Sequence, residues 1–140
     1  MPYYLYMANS LYTRSHGQSK LGCTMYPSER MHTYNTGDAV GIGLEKTYQG
    51  IWEINAKNDA EMKMFESMLH SHCADVRLFR QNGEKTEWFS CQYEKVASYI
   101  ISQPFYVRTI TNDRSNRVFA VSHTIRSMHI YNNKILYKIL

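Results

Sequence analysis

Between Asn58 and Cys73 the apolar residues Ala60, Met64, Phe65, Met68 and Leu69 recur at i, i+4, i+5, i+8 and i+9, a stripe of helical period. The runs before it, YYLYMA (3–8), KLGCT (20–24) and KTYQGIWEIN (46–55), are short, aromatic or β-branched, and bounded by turn residues, as strands are. One strong amphipathic helix among strand-like runs requires a mixed α/β (α+β) architecture, with the stripe expected to face the core. Asn58 or Asp59 is the candidate cap of that helix.

The remaining elements follow from local chemistry. The first two strands read as a hairpin joined by the polar loop NSLYTRSHGQS. Pro27 suits the first turn of a helix over about 27–35, where its missing N–H costs nothing and Glu29 meets the positive end of the dipole. TGDAVGIGLE reads as a glycine-rich loop, but its GIG lacks the further glycine and helix start of a dinucleotide site. After the polar RQNGEKT, EWF (87–89) supplies Trp88 and Phe89 to the core, and EKVASYIISQP reads as a last helix stopped by Pro104. SMHIYNNKILYKIL resembles a β-hairpin turning at Asn132-Asn133. The expectation is a small three-stranded antiparallel sheet flanked by helices over residues 1–105, with a basic C-terminal extension over 106–140.

At 140 residues the chain fits one domain, with or without an appendage. Cys23, Cys73 and Cys91 form no CxxC pair and fit free thiols in a reducing compartment. No apolar run approaches membrane-spanning length and the N-terminus has no signal-peptide pattern, so an intracellular, cytoplasmic setting is expected, that of the host cell if the protein is viral. Residues 106–140 hold six basic side chains against Asp113 alone, whereas the first 105 residues carry a slight acidic excess. Arg108, Arg114, Arg117 and Arg126 are therefore candidate contacts to a polyanion, nucleic acid first. A locally cationic, solvated surface is the alternative.

Four residues stand in a suggestive order: Tyr6 on the first strand, Lys20 two residues before Gly22 at the end of the second, Arg30 on the first helix, and Glu66 on the long one. Each alone has an ordinary structural reading. Glu66, for instance, can pair with His70 or Lys63 along its helix for a few tenths of a kcal/mol. Together they resemble the GIY-YIG nuclease superfamily, in the branch of phages and large DNA viruses whose second motif reads Lys-Ile/Leu-Gly. Tyr4-Leu5-Tyr6 stands at the first motif, Lys20-Leu21-Gly22 at the second, Arg30 at the family arginine, and Glu66, in FESMLH, at the metal-binding glutamate. An arginine (Arg77 or Arg80) and EWF follow as in that branch, and the likeness covers residues 3–103. The family's first glycine is Tyr4 here. Its second tyrosine is Lys20, which can act as a base only with a pKa well below about 10.4.

The resemblance implies phosphodiester hydrolysis. Glu66 would hold Mg²⁺ (or Mn²⁺), Arg30 would grip phosphate oxygens, Lys20 would add charge or accept a proton, and Tyr6 would position or deprotonate the water. Gly22 would let the backbone turn closely. His32 and His70 are possible supporting residues, while a zinc site in HSHC (70–73) would require the helix to end there. A metal-dependent DNA endonuclease or nickase is the leading expectation. A binding module of the same fold without turnover, and a dimeric protein-interaction domain, are the alternatives.

Overall fold

The computed structural model describes residues 2–36 and 44–112. In chain order it contains β1 (Tyr3–Ser10), α1 (Leu11–Ser15), β2 (Gln18–Thr24), α2 (Pro27–Thr36), β3 (Lys46–Ile54), α3 (Asp59–His72), a 3₁₀ turn (Ala74–Val76), β4 (Arg77–Phe79), β5 (Lys85–Ser90), α4 (Tyr93–Ile101) and β6 (Tyr106–Asn112). The mixed α+β class holds. The sheet, however, has six strands in the order β4-β5-β2-β1-β3-β6, all antiparallel, where three were expected. The expected strands β2, β1 and β3 form its centre. The extra ones carry weak sequence signals: β4 has three residues, β5 is polar or charged except for Trp88 and Phe89, and β6 begins in the segment read as a basic extension.

The connection between β1 and β2 holds a helical turn rather than loop alone. Ser10 accepts from the Thr13 backbone N–H while the Thr13 hydroxyl receives the Ser10 N–H, a reciprocal cap, and Gly17 at φ 71° turns the chain into β2. Asn9, near the end of β1, donates to Ser19 Oγ of β2 at 2.9 Å and to Gln49 Oε1 of β3 at 2.8 Å, and accepts from buried Arg14 Nε of α1 at 2.9 Å. Three strands and a helix meet at this one buried amide.

The two faces of the sheet are covered differently. Leu5, Met7, Leu21, Cys23, Trp52, Ile54 and Phe89 pack under α3 and α4 through Met62, Leu69, Val96 and Ile100. On the opposite face Tyr6, Ala8 and Ile51 meet Met31 and Tyr34 of α2 together with Tyr4 and Tyr48. Asn58 caps α3 by accepting from the Glu61 N–H at 2.9 Å. Its buried arc runs through Met62, Phe65, Glu66, Leu69, His70 and Cys73, not along the expected stripe: Met64 and Met68 are 50% and 38% exposed, and Ala60 is exposed. Counting apolar residues alone misplaced the arc because two of its members are polar groups with partners inside the fold. Trp88 is half-buried, while Phe89 is fully enclosed.

The glycine-rich loop from Gly37 to Gly43, the 127–140 hairpin, and Arg114, Arg117 and Arg126 lie outside the described residues. Among the described residues no helix is long and apolar enough to cross a membrane. Urea denaturation should separate the two faces of α3: Leu69→Ala is expected to cost about 2–5 kcal/mol, and Met64→Ala to stay within about 0.5 kcal/mol of the parent.

Candidate active site

Tyr6 of β1 and Gly22 of β2 are direct cross-strand partners. The Tyr6 ring lies across the glycine so closely that a Cβ at position 22 would sit 2.5 Å from Tyr6 Oη and 2.6 Å from Cζ. Gly22 does not have the positive φ that Gly17 and Gly83 show, so the expectation that it lets the backbone turn is corrected. It is needed because no side chain fits beneath the tyrosine.

Held there, the Tyr6 hydroxyl hydrogen-bonds the Tyr34 hydroxyl of α2. Tyr48 of β3 packs edge-on against Tyr6, with ring centroids 5.2 Å apart, and its hydroxyl donates to the Pro27 carbonyl at 2.6 Å, tying the start of α2 to the sheet. Lys20 reaches over the Tyr34 ring, its Nζ 4.5 Å from the centroid and 3.7 Å from Glu87 Oε1. Arg30 stands one helical turn before Tyr34 and projects its charge onto Tyr6 and Tyr34. Tyr6, Lys20, Gly22 and Arg30 are thus one cluster. Tyr34, which sequence reasoning missed, is at its centre; the i, i+4 spacing from Arg30 was the available signal.

Glu66 approaches the same stretch of β2 from the other face. The β2–β5 ladder ends at Lys20–Trp88, so among the described residues 21–24 have a strand partner only in β1. His70 of α3 fills the gap: its Nε2–H donates to the Leu21 carbonyl at 2.8 Å, and its ring lies 5.0 Å from Phe89. One turn earlier, Glu66 lies close enough to the Cys23 thiol for each to act on the other's protonation. Burial, then repulsion from Glu87, raises the Glu66 carboxyl above its ordinary range, while the charges of His70 and Lys63 oppose the rise. The Cys23 thiol is pushed up to about 12, by burial first and then by Glu66. The fields of both Arg30 and Glu66 reach Cys23, and the Lys20–Glu87 pair links the two sides.

The other expected residues are elsewhere. His32 is exposed on α2, bordering a shallow groove with Ser28, Met31, Asn35 and Tyr48. His70 is buried against Leu21 while His72 stacks on Tyr99 at 4.2 Å, and no group of three metal-ligating side chains gathers among the described residues. Arg108 on β6 pairs with Glu53 at 2.8 Å.

Burial, followed by the hydrogen bond and charge of Tyr34, raises the Tyr6 phenol against the opposing pull of Arg30. Burial and then Tyr34 push Tyr48 up to about 12, again against Arg30. These folded values lie above the unfolded value near 10. Their contribution to stability is therefore whole below about pH 10 and is lost as the pH rises toward 12, which denaturant titrations across that window will read. Gly22→Ala is expected to cost about 1–3 kcal/mol by overpacking. Combined with Tyr6→Ala, which empties the space above it, the two changes should be strongly non-additive. The three buried thiols, all raised by desolvation, should react with an aromatic disulfide reagent at pH 8 only once denaturant is added.

The T5orf172 domain model matches residues 3–103, from the start of β1 to just past α4. No curated protein and no solved structure matches the chain. The match takes in Tyr6, Lys20, Gly22, Arg30, Tyr34 and Glu66, and the chain belongs to the T5orf172 domain family, a phage-associated family related to nuclease-like domains.

Proposed function

We propose that the domain is a metal-dependent DNA endonuclease or nickase of the GIY-YIG type. The observation that carries this reading is the gathering of Tyr6, Lys20, Arg30 and Tyr34 around Gly22, with Glu66 on the opposite flank of the same strand. Phosphodiester hydrolysis needs a phosphate held by cations, an oriented water and relief of the charge that develops on the phosphorane. Arg30 offers a planar fork for two phosphate oxygens, and Lys20 a compact charge beside it. Both stand next to tyrosine hydroxyls, so the phosphate would sit against the edge of β2.

The raised phenol of Tyr6 means that it is neutral at physiological pH, and its hydroxyl is already engaged by Tyr34. It therefore orients the water and the phosphate through a hydroxyl pair and does not take a proton as a free phenolate. Glu66 fits a hard divalent cation: it offers carboxylate oxygens, it is partly desolvated, and it is raised further by Glu87, a repulsion that a cation would reverse. Bound there, Mg²⁺ (or Mn²⁺) would supply a water of lowered pKa and neutralise phosphate charge. Cys23 and His70 both act against the rise of the Glu66 carboxyl and so favour its charged form.

Supercoiled plasmid incubated with the protein in Mg²⁺ or Mn²⁺ should be nicked. Glu66→Ala should abolish nicking, and Arg30→Ala should slow it about 10²–10³-fold. DNA retained without nicking by the parent protein would replace this reading with the non-catalytic binding module.

A further inference from the structure

Beyond His70 the second half of α3 and the β4–β5 hairpin enclose a groove that the reaction above does not use. Ser67, His70, Ser71, Ala74, Arg77 and Lys85 line it, and none of them is a carboxylate. Ser67 and Ser71 are four apart on one side of α3 and line the groove together with the two cations of the hairpin. Arg77 is held in place: its Nε donates to the Thr86 carbonyl at 2.8 Å and its guanidinium carbon lies 5.2 Å from the Phe89 ring centroid. Neither Arg77 nor Lys85 has a carboxylate partner among the described residues, whereas Arg80 on the same hairpin is paired with Glu84 at 3.8 Å.

Two cations without carboxylate partners among the described residues and two hydroxyls around one concavity are the components of a phosphate seat. We propose that this groove binds a backbone phosphate of the DNA, on the Glu66 side of β2. The proposal rests on the nuclease reading for the identity of the polyanion. The two places share a boundary, since His70 lines the groove and stands one helical turn, about 5.4 Å of pitch, from Glu66. Phe89, enclosed between His70 and Arg77, fixes both side chains relative to the sheet.

The test is the salt dependence of binding to a short labelled duplex, measured by anisotropy in EDTA so that cleavage does not intrude, for the parent, Lys85→Ala, Arg77→Gln and the double variant. Each lost phosphate contact should reduce the slope of log K against log salt by about 0.9, so that the double variant falls short of the parent by nearly 2. Lys57→Ala, which removes an exposed charge at the far end of α3, should leave the slope unchanged. Lys85 is exposed and makes its point even if Arg77→Gln perturbs folding. Equal slope changes in Lys57→Ala and Lys85→Ala, or no change in either, would overturn the groove while leaving plasmid nicking intact. Reduced slopes in a protein that never nicks would uphold the groove and overturn catalysis. Absence of DNA binding would overturn both.

Discussion

The placement of an aromatic ring across a glycine governs this domain. Tyr6 occupies the space a side chain at position 22 would take, and from there its hydroxyl meets Tyr34 while its ring supports Tyr48. Tyr48 in turn fastens the first turn of α2 through Pro27, and Tyr34, one turn beyond Arg30, receives Lys20 on its face. A helix with no buried residue of its own is thus docked by tyrosines, which supply apolar area and a polar end at once. The same device recurs in β3, where the Trp52 ring lies across Gly50 so that a Cβ there would be 2.3 Å from it. There the aromatic serves the core.

The second organising feature is the point where β5 leaves β2. A central strand with one edge open leaves backbone groups that must find other partners, and His70 satisfies one of them from α3. The departure also lets Lys20, on the α2 face, reach Glu87, while Glu66 stands near Cys23 on the α3 face. An edge that would be a liability in a plain sheet becomes the place where the candidate chemistry collects.

Much of the centre was legible in the sequence. β1, β2, β3, α2, α3 and α4 announce themselves by period, proline and caps, whereas Tyr6, Lys20, Arg30 and Glu66 were singled out by a family resemblance and not by spacing alone. What escaped were features whose signal is three-dimensional. β4, β5 and β6 are short or polar and are strands because a neighbour lends them hydrogen bonds. Tyr34 sits in a helix with weak amphipathic character, and its importance comes from Tyr6, 28 residues away. The rotation of α3 depends on Glu66 and His70 being buried with partners, something a pattern of apolar letters does not carry.

The Asn9 hub gives the arrangement a further property. Sliding β2 or β3 along β1 by two residues would preserve which side chains face in and out, so hydrophobicity alone does not forbid it. Such a slide would carry Ser19 or Gln49 away from Asn9 and desolvate the amide without compensation, at about 1–3 kcal/mol for each group stranded. The amide thus works as an alignment pin. Because Tyr6, Gly22 and Tyr48 belong to the same three strands, a chain that folds with the pin seated has aligned its tyrosines before any substrate arrives.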